Sequence, residues 1–185
     1  MRAMRADARR NRDKLVEVAR QVFREKGYDA PLDEIAKRAG VGAGTLYRHF
    51  PTRDALHDAV MQAWADGVEV AAEKALAHEG SDRDILLDWF RTYVGLVSSY
   101  KGSPARITSA LGDPESPILT KCQVLTGANA KVIERLGDAL KPGVEPIQMA
   151  RLVGGVASVA DLGDLAPEAV EPLLEVVADG LLAPA

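Results

Sequence analysis

Apolar positions recur every three to four residues along nearly the whole chain, the spacing of one helix face. Leu15, Ala19, Val22 and Phe23 form such a stripe, continued by Lys26 and stopped at Gly27. Leu32 to Ala39 reads as a short helix with Ile35, Ala36 and Ala39 on its apolar side, closed by Gly40. Gly42 to Phe50 is a second short segment, stopped by Pro51. Thr52 is placed to N-cap a long helix reaching the late seventies. Ser81, with Asp84 three residues on, is a capping-box variant that opens a helix to about Tyr100. Pro104, Pro117, Pro146 and Pro167 each follow a loop signal and mark the first turns of four more helices. No alternating run rich in Val, Ile and Thr argues for a strand. The expectation is an all-α chain of about nine helices, without repeats or a flexible linker.

Composition sharpens that reading. Of 185 residues, 47% are hydrophobic and 27% charged, which is globular and excludes a disordered chain. The longest uncharged apolar run near the C-terminus, Leu152 to Ala160, is about half the span of a bilayer, so no membrane helix is expected. The N-terminus is basic with no apolar block behind it, unlike a secretory signal. With Cys122 as the single cysteine there is no internal disulfide, and a reducing cytoplasm is the simplest setting. The net charge of −4 hides an asymmetry: residues 1–57 carry 13 Lys/Arg against 8 Asp/Glu, and the remainder carry 10 against 19. A basic head suits a polyanion while the acidic body does other work, because screening confines charge effects to about 10 Å.

Within the head the order is helix, short helix, tight turn, short helix. Gly40, in the turn Ala39-Gly40-Val41-Gly42, can take the left-handed conformation that lets two helices meet steeply. Val41 plugs the junction, and Ile35, Ala36, Leu46 and Phe50 join Leu15, Ala19 and Phe23 in a small core. Ala43, Gly44, Thr45, Tyr47, Arg48 and His49 are left facing outward, as on a helix that enters a major groove. Thr45 offers a hydroxyl and a methyl, Tyr47 a phenol, and His49 a donor. Small Ala43 and Gly44 allow close approach to base edges. Arg5, Arg9, Arg10 and Arg12 make a basic arm for phosphate or minor-groove contact.

The stretch Val22-Phe-Arg-Glu-Lys-Gly-Tyr, followed by Leu32 to Leu56 with Ala39-Gly-Val-Gly-Ala-Gly-Thr-Leu-Tyr-Arg-His-Phe-Pro-Thr-Arg-Asp at its centre, resembles the DNA-binding domain of the TetR family of bacterial repressors. The likeness covers roughly residues 12–57. It implies an all-helical homodimer that binds a palindromic operator on double-stranded DNA and carries a C-terminal domain for a small ligand and dimerisation. Carried over by position, Thr45, Tyr47 and His49 match recognition-helix contacts, and Lys37 and Arg38 match positions near phosphate. Arg53 matches a basic residue that clamps the DNA backbone at the start of the fourth helix. Two departures stand out. Gly42 and Pro31 occupy positions where that family often has Ser or Thr, so two capping hydroxyls are missing.

The body, taken as residues 53–185 beside a head of residues 1–52, concentrates Trp64, Trp89, Phe90, Tyr93 and Tyr100 in two helices. The stripe after Pro117 reads Ile118, Cys122, Leu125, Asn129, Val132, Leu136 and Leu140, and Asn129 is its polar exception. Two readings stay open. Trp64, Trp89, Tyr93 and Asn129 either line an apolar ligand pocket, or are core with Asn129 bonded to a neighbour. Cys122 reads as a buried, inert thiol. From Pro146 to Ala160 the one charge is Arg151, so that helix must be covered on all sides, and Gly154-Gly155 permits close backbone approach. The last helix carries Val170, Leu173, Leu174, Val177, Leu181 and Leu182 on one stripe. Pairing of these two helices with a second copy is expected through Leu152, Val153, Val156, Leu173, Leu174, Val177 and Leu181.

Enzyme readings fail on context. The glycines Gly40, Gly42 and Gly44 follow a helix where a phosphate loop needs a strand. Ser98-Ser-Tyr-Lys101 lacks companion motifs. His49, His57 and His78 make no metal-ligand spacing, so no catalytic residue, metal or cofactor is expected. A helical interaction scaffold is the rival, but it leaves Thr45, Tyr47 and His49 beside a basic arm unexplained. The expectation is a DNA-binding regulator, a repressor released by an apolar or amphipathic effector, with no membrane association.

Overall fold

The computed structural model describes residues 2–99 and 101–184, with side chains from residue 7 onward. Nine α-helices follow one another among the described residues: α1 (Arg2–Lys26), α2 (Leu32–Arg38), α3 (Ala43–His49), α4 (Arg53–Leu76), α5 (Asp82–Val97), α6 (Ser103–Ala110), α7 (Leu119–Leu136), α8 (Pro146–Leu162) and α9 (Pro167–Leu181). A 3-10 turn, Gly137–Ala139, follows α7, and an isolated bridge joins Leu140 to Leu182. The chain divides into two compact units, Met1–Trp64 and Ala65–Ala185, with the division inside α4.

The first unit is built on the stripe of α1. Leu15, Ala19, Val22 and Phe23 are buried with Ile35, Ala36 and Ala39 of the α2 segment and with Leu46 and Phe50 of the α3 segment. The first turns of α4 belong to the same core through Leu56 and Val60. Gly27 and Gly40 take φ of +80° and +66°, so both helix stops use the left-handed conformation that side chains disfavour. Val41 is half-buried at the α2–α3 junction, and its amide donates to the Ala36 carbonyl at 3.0 Å. Neither α2 nor α3 has a side-chain N-cap, because Pro31 and Gly42 stand there. Thr52 does cap α4: its Oγ1 accepts from the Ala55 amide at 3.1 Å. The arginine-rich N-terminus runs as the first turns of α1, a continuous helix and not an extended arm. The Arg5 side chain lies outside the described residues.

In the second unit, α8 packs against α5, α6, α7 and α9. The Ser81–Asp84 capping box opens α5, each residue's side chain accepting from the other's backbone amide at 3.2 Å. That helix ends at Val97, short of the expected stop; Tyr100 lies outside the described residues. Pro104, Pro146 and Pro167 do sit in first turns. Pro117 does not. It precedes α7 in a turn closed by the Leu119 amide on the Ser116 carbonyl, and Ile118 holds the N-cap position. Pro172 lies inside α9, a place where proline has no N–H to donate to the helix.

Close approach is confined to one of the two adjacent glycines of α8. A Cβ at Gly154 would lie 2.3 Å from Thr108 Oγ1 of α6, whereas Gly155 faces open space. Antiparallel α5 and α9 are joined at two heights. Arg83 donates to Asp179 at 2.7 Å, and eight residues on Arg91 donates to Glu171.

Candidate nucleic-acid interface

Residue spacing on α3 decides which side chains can meet a partner. Leu46 is fully buried and Phe50 nearly so, which pins one face of α3 to the head core. The opposite face carries exposed Ala43, Gly44, Tyr47 and Arg48, with Thr45 and His49 half-buried at its edges. Tyr47 is the large apolar exception on this surface, 47% exposed. A Cβ on Gly44 would meet nothing within 4 Å, so the helix backbone is open to close approach there. Arg48 folds back on its own helix, its Nε donating to the Gly44 carbonyl at 3.0 Å. The His49 ring leans on Phe50, centroids 6.3 Å apart.

Cations of the head divide into two groups. Lys37 is exposed, and so are Arg9, Arg10 and Arg12 on α1. Arg9 lies 4.0 Å from Asp13, Arg10 pairs with Asp7, and the Arg12 guanidinium sits 5.3 Å from the Phe50 ring centre. Such exposed pairs hold weakly and can be exchanged for a phosphate. Arg38 and Arg53 are held within the head. Arg38 donates to Glu25 at 2.6 Å and to Glu34 at 2.8 Å, and these carboxylates hold its proton more firmly than usual. Lys26 and Arg38 in turn keep the Glu34 carboxyl below its ordinary range.

Arg53 Nη1 donates to the carbonyls of Tyr28 and Ala30 at 2.8 and 2.6 Å. The Tyr28 hydroxyl donates to Asp54, and its ring meets His57 edge-on with centroids 4.8 Å apart. Tyr28, Asp54 and His57 were not singled out by sequence reasoning. Tyr28 lies 26 residues before Asp54 and shares no periodic pattern with Asp54 or His57 that would have joined them.

In the second unit Trp89, Tyr93 and Asn129 are completely buried, and they satisfy one another and the backbone. Trp89 Nε1 donates to Asn129 Oδ1 at 2.8 Å, Asn129 Nδ2 donates to the Pro146 carbonyl at 3.0 Å, and Tyr93 Oη donates to the Ala150 carbonyl at 3.2 Å. Burial pushes the Tyr93 phenol above its ordinary value and the Cys122 thiol up to about 11. Trp64 is also buried, 6% exposed. A cavity of about 670 Å³ lies elsewhere, between α5, α8 and α9. Its floor is apolar (Val94, Leu165, Val170 and Leu174), and Arg91, Asp161, Asp164 and Glu171 stand around it.

Of the residues expected at a subunit interface, Val153, Leu174 and Leu181 point into the chain's own core. Leu152 and Leu173 are exposed, and Val156 and Val177 half-buried. Val159, Leu162 and Val176 extend this apolar surface, with Val176 72% exposed. No group of three or more potential metal ligands occurs among the described residues, and no described helix is long and apolar enough to cross a membrane.

Two short packed helices, α2 and α3, joined by a turn at Gly40 on a basic head, with the outer face of α3 open, form a helix-turn-helix, and a helical body makes the second unit. Residues 15–60 match the family model described as bacterial regulatory proteins, tetR family. A helix-turn-helix-type transcriptional regulator of Staphylococcus aureus (strain USA300) is 43% identical over 60 residues, 32% of each chain, so the aligned part spans about a third of that relative's length. Likeness to solved structures runs through the body as well. A TetR transcriptional regulator from Streptomyces coelicolor is 29% identical, with a TM-score of 0.70 over 94% of this chain and 99% of the other. A TetR transcription regulatory protein from Mycobacterium vanbaalenii is 28% identical, with a TM-score of 0.68 over 97% and 99%. Residues 15–60 carry the tetR-family match, and the fold of the chain is that of solved TetR regulators.

Proposed function

We propose that this protein is a homodimeric transcriptional repressor that holds a palindromic operator and releases it when a small apolar or amphipathic molecule binds the body. The observation that carries the reading is the open outer face of α3 on a head rich in Lys and Arg. Ala43 and Gly44 let the start of α3 approach the base edges, and Thr45, Tyr47, Arg48 and His49 read them. Lys37, Arg9 and Arg10 meet phosphates and set the register. Arg38 joins them only by giving up Glu25 or Glu34.

Two copies pair through the outward apolar positions of α8 and α9, which places two recognition helices on successive major grooves. The effector occupies the cavity between α5, α8 and α9, whose volume suits a small molecule. The set formed by Trp89, Tyr93 and Asn129 is left aside, because its polar atoms already have partners. Release requires the effector to favour the non-binding state, by about 1.4 kcal/mol for each tenfold loss of operator affinity. The setting is the cytoplasm, where DNA is at hand.

The test is selection of fragments from the source genome, with affinity followed against salt. A tight palindromic site, with log affinity falling by about 0.9 per phosphate contact against log salt, is expected. Weak, sequence-blind binding near about 10⁻⁴ to 10⁻⁶ M would end the reading.

A further inference from the structure

We infer that Arg53 is a positioning residue that fastens the α1–α2 loop to α4, and that it is not a phosphate contact. The inference rests on the DNA-binding reading above. It departs from the backbone clamp that resemblance alone would assign to this position.

Four observations carry it. First, Arg53 is half-buried, and one nitrogen, Nη1, serves both the Tyr28 and Ala30 carbonyls, at 2.8 and 2.6 Å. Its guanidinium also lies 5.8 Å from the Tyr28 ring centre. Both bonds come from one nitrogen while the planar guanidinium lies beside the Tyr28 ring, and it is this combined placement that a lysine does not reproduce. Second, the same turn of α4 grips the loop at further points, through Asp54 on the Tyr28 hydroxyl and His57 on the Tyr28 ring. Residues 53, 54 and 57 fall on one side of the helix, so loop and helix start are tied as a unit.

Third, the fastened loop leads directly into α2. Pro31 gives that helix no side-chain cap, and Gly42 gives α3 none. The orientation of the α2–α3 pair therefore depends on tertiary bonds that the two short helices do not supply themselves. Fourth, Ala30 is buried in the head core, so a shift of the loop is felt by the residues under α3. Any displacement of α4 reaches the reading helix through this tie. Loss of Arg53 leaves the reading face chemically intact but lets it wander.

The experiment compares Arg53→Ala, Arg53→Lys and Tyr28→Phe with the wild-type protein, using the DNA fragment that the wild type selects. A positioning role predicts about tenfold or greater loss of affinity for both Arg53 variants and a smaller loss for Tyr28→Phe, with the slope of log affinity against log salt unchanged. Recovery of affinity by Arg53→Lys, or a slope flattened by about 1.8 for two lost phosphate contacts per dimer, would overturn the inference. A second arm needs no DNA. Amide hydrogen exchange of residues 28–32 in the full-length protein is expected to accelerate about tenfold or more in both Arg53 variants, with Tyr47→Ala unaffected. Unchanged exchange in Arg53→Ala would overturn it as well. Should the wild type select no DNA, the repressor reading falls, and the exchange arm alone decides the fastening.

Discussion

Trp89 Nε1 donates to Asn129 Oδ1 across 2.8 Å of completely buried core, joining α5 to α7. The other end of the Asn129 amide reaches the Pro146 carbonyl at the start of α8. One amide thus ties three helices at a place where an unpaired polar group is costly, and it is a structural device.

Asn129→Leu is expected to destabilise the protein by about 1–3 kcal/mol for each of the two groups it leaves unpaired, the Trp89 indole N–H and the Pro146 carbonyl. Trp89→Phe removes the indole donor, so the double variant should lose less than the sum of the two single losses. Urea unfolding of the four proteins measures this coupling, expected at about 0.5–3 kcal/mol. Strict additivity would show that the two groups do not depend on each other.

Adjacent glycines in α8 should respond with opposite signs. Gly154→Ala places a methyl 2.3 Å from Thr108 Oγ1, and the resulting overpacking should cost about 1–3 kcal/mol. Gly155→Ala meets nothing within 4 Å and should stabilise by up to about 1 kcal/mol through helix propensity. Thr108→Ala should relieve much of the first loss, since its buried hydroxyl has no partner to forfeit. Thermal unfolding of Gly154→Ala, Gly155→Ala and the Gly154→Ala/Thr108→Ala double variant decides it.

Gly44→Ala separates folding from recognition. The added methyl faces open space, so the helix and the head should be slightly stabilised. Operator affinity should fall at the same time, by about tenfold, because the α3 backbone can no longer approach the base edges as closely. A variant that is more stable and binds equally well would remove α3's N-terminal turn from the contact surface.

Substitutions on the outward faces of α8 and α9 should change assembly and not folding. Leu152→Glu combined with Val176→Lys alters two positions that are 47% and 72% exposed in the single chain. Sedimentation is expected to shift from dimer to monomer with helical content retained. A dimer that survives both charges would place the interface elsewhere.

Acid and alkali should weaken the fold for opposite reasons. Glu34, Asp84, Glu171 and Asp179 are held below the ordinary carboxylate range by Lys26, Ser81, Arg91 and Arg83 respectively. The unfolded chain binds these protons more readily, so stability is complete above the ordinary carboxylate range and is lost as the pH falls through the lowered values. For Cys122 the folded value is raised, to about 11, by burial. Its contribution is complete below the ordinary thiol range and is lost as the pH rises toward 11. Denaturation midpoints across pH test the first part. Slow thiol labelling at neutral pH, speeding only on unfolding, tests the second.

The order of the helices, the stops at Gly27 and Gly40, the Ser81–Asp84 capping box and the outward face of α3 were all legible in the chain. Each depends on residues within about one or two turns of one another, and helical periodicity reports such local relations directly. Pro117 and Pro172 were harder. A proline constrains its own φ and removes a donor, but whether it opens a helix, precedes one or is carried inside it depends on what its neighbours pack against.

Partner choice between distant side chains was decided by tertiary structure alone. Asn129 read either as a pocket residue or as a core residue bonded to a neighbour, and Trp89, 40 positions away, is the neighbour the fold supplied. Arg53 matched a clamp on the DNA backbone by resemblance, and only the fold brought the carbonyls of Tyr28 and Ala30 under it. Gly154 and Gly155 were alike in sequence, and Thr108 on α6 distinguished them. The physical reason is common to all three. Hydrophobic periodicity says which face of a helix turns inward, because burial is non-directional and averaged over many residues. Hydrogen bonds and close contacts are directional and short-ranged, so their partners exist only once the helices have docked.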